Sequence, residues 1–172
     1  MAPGAHGDSE ILKSETLGMI HDQRTLVLAT CGDQMPWAAP VYFVFHLGRF
    51  CFFSSPRALH IRNGLNQGVC AGSIFSDSDR WELIRGLQMT GRLEEIRSPA
   101  AMAAMAARFV LKFPFSKNFL RGGDVPVPDL ARRVRGYGFT PNEAFIVNNR
   151  QVFGQRLAVD PVSFNILEPQ NG

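Results

Sequence analysis

The stretch FFSSPRALHIRNG, residues 52–64, changes character halfway along its length. Its two phenylalanines are typical of the end of a buried strand, and a helical pattern follows them. Ser55 is a good residue to cap a helix, because its hydroxyl can accept from a free N–H of the first turn. Pro56 suits the first helical position, where a missing N–H costs nothing. The pattern predicts a strand, a cap and a helix that ends at Gly64 or Gly68.

The junction between this strand and helix, from Ser54 to Arg57, also suits an anion. Free N–H groups and the positive end of the helix dipole favour a phosphate at a helix start. Ser54 and Ser55 add hydroxyl donors, and Arg57 adds a planar cation that can hold a phosphate through two hydrogen bonds. His60, one turn later, could face the same way. The residues alone leave both interpretations open: a purely structural cap or an anion site.

Composition limits the class of protein. The chain has 172 residues, of which 45% are hydrophobic and 14 are phenylalanine, which suits one domain with aromatic strand interiors. A net charge of +3 argues against strong nonspecific nucleic-acid binding. We expect a disordered N-terminus over 1–8, a single domain over 9–160 and a C-terminal tail over 161–172.

The cysteines and the N-terminus indicate a reducing compartment. Cys31, Cys51 and Cys70 lie in apolar stretches without CxxC spacing or a paired histidine, so we expect buried reduced thiols and no metal site. No apolar signal region opens the chain, and no apolar run is long enough to span a membrane. We expect a cytoplasmic protein.

Apolar and β-branched runs predict a mainly β (α+β) fold. The connections are too short for crossovers, so the strands should be antiparallel and close into a barrel. The last two strands are predicted to be joined by a turn at Pro141 and Asn142. The predicted strands cover residues 25–31, 37–47, 48–55, 68–75, 84–96, 132–140 and 143–149.

Two or three helices are expected to flank the barrel. One begins at Ser9 as its cap and carries apolar residues roughly on one face, at Ile11, Leu12, Leu17 and Ile20. Another begins with Ser98 as cap and Pro99 in its first position, and its alanines and methionines favour a helix. Residues 114–130 are predicted to form a loop and a short helix. We expect Met102 and Met105 to pack in the core.

This order of elements resembles the pyridoxamine-phosphate-oxidase-like flavin split barrels. The likeness covers residues 11–154. Within this family, the chain is most similar to small bacterial members of unassigned activity. It is carried by the order and spacing of several weak motifs. These motifs are PWAAPVYFVF, FFSSPRALHIRNGLNQGVCAGSIF, RGLQMTGRLEEI, RFVLKFPF and VRGYGFTPNEAFIVNN.

The resemblance implies an antiparallel split barrel that binds FMN at a homodimer interface. It implies that Ser54, Ser55 and Arg57 face the FMN phosphate, with His60 as a further phosphate partner. It also implies that a strand of small residues follows the edge of the isoalloxazine ring, where protein backbone must approach closely. This strand segment consists of Trp37, Ala38, Ala39, Pro40 and Val41. Without the resemblance, the segment suits an ordinary strand with an edge proline.

Other positions follow from the resemblance less directly. Gln88 either hydrogen-bonds a ring carbonyl, across the dimer, or lies on the solvated face of its strand. Phe153 and Arg156 are expected to approach the cofactor from the second subunit. True pyridoxamine-phosphate oxidases carry an arginine where this chain has Trp37-Ala38, two cations where it has Arg57-Ala58, and an arginine-rich motif near the C-terminus. Their absence argues against a pyridoxal-phosphate substrate and leaves the phosphate site in place.

We therefore expect a flavin-dependent oxidoreductase that acts on an unidentified small substrate, with no catalytic residue assigned. One alternative is a flavin-binding or redox-sensing module without turnover. A second is a haem-handling split barrel, although residues 148–172 contain no histidine to serve as an axial ligand. A third is a structural homodimer that has lost its cofactor. We expect no nucleic-acid or membrane partner.

Overall fold

The structure, a computed structural model, describes residues 4–117, 134–150, 154–162 and 164, and the side chains from residue 10 onward. We predicted a loop and a short helix over 114–130, and residues 118–130 of this segment lie outside the described part of the chain. None of the described helices is long and apolar enough to cross a membrane. The predicted domain bounds stay a prediction, although a helix includes residues 4–8, which we expected to be disordered.

The elements that lie wholly within the described residues include three helices, eight strands and a turn of 3-10 helix at Trp81–Leu83. The helices are α1 (Gly4–Asp22), α2 (Leu59–Gln67) and α3 (Pro99–Lys112). The strands are β1 (Thr25–Gly32), β2 (Met35–Tyr42), β3 (Val44–His46), β4 (Arg49–Ser54), β5 (Cys70–Phe75), β6 (Arg85–Glu95), β7 (Arg135–Asn148) and β8 (Leu157–Val159).

All strand pairs are antiparallel, in the order β2-β1-β5-β6-β7-β4-β3, with β8 paired to β7. The two ends of this path, β2 and β3, are joined in sequence through Phe43 alone, so the sheet must curl back on itself. We predicted one strand over 37–47. The chain instead bends at Phe43, whose N–H bonds the Arg24 carbonyl and whose ring is fully buried. The expected antiparallel split barrel is confirmed.

The predicted turn at Pro141 and Asn142 is wrong. β7 runs without a break through these residues and pairs with β6 from Tyr137 to Asn148. Gly91 pairs with Pro141 whereas Thr90 pairs with Glu143, so Asn142 is an extra residue in a β-bulge. A bulge tolerates a proline because it interrupts the ladder where the missing N–H would have donated. A long bent strand therefore has the same sequence signature as a hairpin.

Aromatic rings fill the barrel, as the phenylalanine content predicts. Phe50 contacts Phe43 at 5.1 Å and Phe139 at 6.2 Å between ring centroids. Each ring buried in this way contributes roughly 1.5–3 kcal/mol to the stability of the fold. The largest fully buried side chains include the rings of Phe43, Phe50, Phe52, Phe113, Tyr137 and Phe139.

The first helix differs from the prediction and α3 agrees with it. α1 begins at Gly4, so Ser9 lies inside the helix and does not cap it, and Ile11 is 55% exposed. In α3 the Ser98 hydroxyl accepts from the Ala101 N–H at 3.4 Å, with Pro99 next in the chain. Met105 is fully buried, as expected for a core residue.

α2 closes one end of the barrel, where it packs against β1, β2 and β6. The contact is close because glycines are present on both sides. A Cβ at Gly32 would collide with the Asn63 side chain, and one at Gly64 would lie 2.8 Å from a methyl carbon of Leu93. The helix ends at Gly68, which has the left-handed φ of 70° that favours glycine.

The bulge gives a stability prediction. A Cβ at Gly91 would collide with the Thr140 carbonyl oxygen and lie 2.9 Å from the Pro141 Cα. We expect Gly91→Ala to lower the free energy of unfolding by about 1–3 kcal/mol, the usual cost of overpacking. The control is Gly18→Ala in α1, where a Cβ meets nothing within 4 Å. It should raise stability by roughly 0.5–1 kcal/mol. Urea unfolding curves measure both, and unchanged stability in Gly91→Ala would contradict the bulge.

Candidate functional site

The serine-proline junction forms a turn before the helix, and not the helix cap that we predicted. α2 begins at Leu59, with Ala58 as its capping residue. The Ser55 hydroxyl accepts from the Arg57 N–H at 3.2 Å, and the Ser55 carbonyl accepts from the Ala58 N–H at 3.0 Å. These bonds close a local turn that competes with helix formation, as serine often does. The N-cap prediction for Ser55 is therefore wrong by three residues.

Ser54 and His60 are joined across this turn. The Ser54 Oγ lies 2.9 Å from Nε2 of His60, so the end of β4 is connected to the first turn of α2. Burial lowers the pKa of His60 below its ordinary value of 6.5. A neutral imidazole at pH 7 has one N–H and one bare nitrogen, so it can either donate to Ser54 or accept from it.

Arg57 is the cation of the junction. Its side chain is exposed, and within the described ranges it has no carboxylate at ion-pair distance. The neighbouring Ser54 and Ser55 are partly buried, and each hydroxyl keeps hydrogen-bonding capacity beyond the contact described above. Two hydroxyls and a guanidinium with unused donors form a donor set that fits a phosphate group.

β2 is an edge strand, since β1 is its partner on one side and no described strand pairs with the other. Pro36 and Pro40 have no N–H to donate to β1, so they suit positions where the backbone points toward the free edge. Ala38 lies between them, so its backbone groups point in the same direction as theirs. The N–H of Ala38 and the carbonyls of Pro36, Ala38 and Pro40 are therefore available to a ligand at the edge.

The side chains of this strand divide between two faces. Trp37, Ala39 and Val41 pair with the inward-facing β1 residues, and Ala39 is buried whereas Trp37 is 48% exposed. Ala38 and Pro40 are on the opposite, exposed face. The strand therefore offers small side chains beside its free backbone edge.

The position of α2 shows how the junction and the predicted site residues of β2 are placed relative to each other. β1 ends and β2 begins beside this helix, where Gly32 faces Asn63. β4 ends just before the same helix, at Ser54. The junction and the first half of β2 therefore lie toward the same end of the barrel.

Gln88 lies elsewhere in the protomer. It is exposed on the outer face of β6, between Ser73 on β5 and Phe145 on β7. In register it is three strand spacings from Pro40, about 14 Å at the usual separation of strands. One copy of the chain therefore does not bring Gln88 to β2. Arg156 is exposed before β8, and Phe153 lies outside the described residues.

The cysteines agree with the prediction at two of three positions. Cys51 and Cys70 are buried, and burial raises the pKa of Cys70 to about 11, which keeps its thiol protonated. Cys31 is exposed, contrary to expectation. The register explains the difference, because Cys31 lies on the phase of β1 that faces away from the core.

Sequence reasoning missed the bond between Ser54 and His60. The two residues are six positions apart, with a turn between them whose geometry their sequence did not reveal. The nearest signal was the position of His60 one turn after the junction. It indicated a shared direction but no contact.

The lowered pKa of His60 gives a pH prediction. As pH falls below 6.5 the unfolded chain takes up the proton before the folded one, so the folded state loses stability until its own lower pKa is passed. We expect His60→Gln to lose less unfolding free energy than the wild type between pH 7.5 and 5.5. Urea unfolding at both values measures this. The control His21→Gln removes a side chain that is 90% exposed and should keep the wild-type loss. Equal losses in both variants would contradict the assignment.

The fold has clear structural neighbours, although no protein-family model and no curated protein matches the sequence. A haem binding protein from Mycobacterium smegmatis matches at a TM-score of 0.70 and 16% identity, over 89% of this chain and 59% of that one. An FAD-binding protein from Mesorhizobium loti matches at 0.60 and 13%, over 77% and 91%. A protein from Listeria innocua, provisionally assigned as a pyridoxamine 5'-phosphate oxidase, matches at 0.60 and 14%, over 80% and 98%.

Identities this low show a shared fold and nothing finer, and this chain spans less than two thirds of the mycobacterial protein. The neighbours are named for flavin and for haem alike. Together with the antiparallel barrel and its three flanking helices, they show that this chain has the split-barrel fold of the pyridoxamine-phosphate-oxidase-like proteins.

Proposed function

We propose that this protein binds FMN and is a flavin-dependent oxidoreductase that acts on an unidentified small substrate. The observation that carries the proposal is the donor set at the end of β4. There an exposed Arg57 without a described ion-pair partner adjoins the hydroxyls of Ser54 and Ser55. The neighbours named for FAD and for pyridoxamine-phosphate oxidase support a flavin at this fold.

The phosphate of FMN would be held at the junction. Arg57 would supply a two-pronged charged contact and Ser54 and Ser55 hydroxyl donors. His60, which is hydrogen-bonded to Ser54, would hold that hydroxyl in position. Because this imidazole is neutral at pH 7, it would orient the serine without adding charge.

The ring would lie along the free edge of β2, from Trp37 to Val41. The Ala38 N–H and the carbonyls beside it would face the polar edge of the ring, and the small side chains of Ala38 and Ala39 allow close approach. Bound FMN would supply the hydride or electron transfer. The protein contributes orientation and exclusion of water from one side of the ring.

A homodimer would complete the site. The outer sheet face carries a row of small residues in register, Ala38, Ala29 and Ala71. Around it is a cleft of about 500 Å³ whose lining includes Val69, a side chain that is 60% exposed. An exposed apolar sheet face of this kind is typical of an interface. A second copy seated on it would bring its own Gln88 toward β2.

Haem is the second candidate, and two observations favour it. One neighbour is named as a haem binding protein. His60 is half-buried and neutral at pH 7, and neutral imidazole is the form that ligates iron. In the structure its Nε2 is occupied by Ser54, so iron would have to displace this hydrogen bond or use the other nitrogen. A flavin-binding module without turnover would have the same site as the proposed enzyme.

The cofactor and its phosphate site are tested together. The absorption spectrum of the purified protein, followed by heat release and chromatography, should show FMN. We then expect Arg57→Ala to weaken FMN binding by roughly 1.5–3 kcal/mol, about tenfold to a hundredfold, in a fluorescence titration. Arg62→Ala removes an exposed arginine of α2 with the same charge change and should bind FMN normally. A Soret band would show that the cofactor is haem and not FMN. Equal FMN affinities in the two variants would contradict the phosphate site at Arg57.

The dimer has its own test. Ala71→Arg places a charge at one end of the small-residue row and should convert a dimer into a monomer in analytical ultracentrifugation. Ala103→Arg is the control, because it adds the same charge on an exposed position of α3. A wild-type chain that sediments as a monomer at micromolar concentration, with or without FMN, would contradict the homodimer.

A further inference from the structure

A second cleft, of about 620 Å³, lies between the end of α1, β3 and the last turns of α3. None of the residues from Ser54 to His60 lines it. It adjoins the start of β1, where Thr25 pairs with Tyr42, whereas α2 packs at the other end of this hairpin. The cleft is large enough for a small organic molecule. Its lining residues are Ile20, His21, Asp22, Arg24, Val44, Phe45, Arg108, Leu111 and Lys112.

The cleft combines an apolar wall with an excess of positive charge. Arg24, Arg108 and Lys112 line it together with one carboxylate, Asp22, which lies 3.3 Å from Nδ1 of His21. In the part of the chain that the structure describes, neither Arg24 nor Lys112 has a carboxylate within ion-pair distance. Arg24 and Lys112 repel each other and neither is in ion-pair contact with Asp22, so the pair favours a further anion between them.

Lys112 is the half-buried member of this pair. Its Nζ donates to the Gln23 carbonyl at 2.6 Å and lies 4.3 Å from the centre of the Phe43 ring. Burial and the nearby Arg24 lower the pKa of Lys112 to about 8, against a smaller opposing effect of Asp22. An ammonium group has three N–H donors, and one bond to Gln23 leaves the others for a ligand.

We propose that this cleft binds an organic anion that carries an apolar group. A carboxylate would lie between Arg24 and Lys112, and the apolar part would rest against Ile20 and Leu111, of which Leu111 is 82% exposed. A purely structural role for Lys112, in which it caps the end of α1, needs only its bond to Gln23. This structural role does not explain why Arg24 lies beside Lys112.

Benzoate and its neutral counterpart benzamide test the charge requirement. We expect benzoate to shift the backbone amide NMR signals of Phe45 and Leu111 saturably, and benzamide to bind about tenfold or more weakly. Arg24→Gln should weaken benzoate binding by a similar factor. The dispersed NMR spectrum of this variant should show that it remains folded. Arg62→Gln is the charge-matched control on α2 and should bind benzoate like the wild type. Equal binding of the two probes, or wild-type affinity in Arg24→Gln, would overturn the proposal.

pH gives a second readout that a structural lysine would not change. Between pH 7 and 9 Lys112 loses its proton, so benzoate affinity should fall, and Lys112→Met should abolish this fall. The other ionisable groups that line the cleft are His21 and Asp22 on α1, Arg24 before β1 and Arg108 on α3, and β3 contributes only Val44 and Phe45. An affinity that does not change over this range would contradict the role of Lys112.

Discussion

The fold depends on the burial of one phenylalanine. Phe43 separates β2 from β3, and its N–H reaches back to the Arg24 carbonyl at the start of β1. Its ring is buried against Phe50 and lies under the ammonium of Lys112. Because the strand path begins at β2 and ends at β3, this single bend joins the two ends of the sheet. A polar residue here would leave the barrel interior open at its seam.

Much of the fold is predictable from local pattern. Alternating apolar residues identify β6, and the serine-proline pair at 98 and 99 marks the start of α3, because both signals depend only on near neighbours. The break at Phe43 and the continuity of β7 through Asn142 depend on partners far along the chain. A Pro-Asn pair is compatible with both a turn and a β-bulge. Only the register with Gly91 distinguishes the bulge from the turn.

The candidate site divides in the same way. Charge and hydroxyl content single out the junction from Ser54 to Arg57 without any knowledge of the fold. The fold adds that β2 is an edge strand whose first half lies toward the same end of the barrel, and that Gln88 lies three strands away on the outer sheet face. Our proposal that these parts act together requires a second copy of the chain, which neither propensity nor periodicity describes.

The prolines of β2 have one more consequence. A free strand edge is a template on which another chain can add its own strand and begin to aggregate. Such addition needs a continuous row of donors and acceptors, and Pro36 and Pro40 interrupt the donors on either side of Ala38. The edge therefore satisfies a compact ligand that needs one donor, and it does not satisfy a long peptide. The same interruption protects the protein from polymerising through this edge.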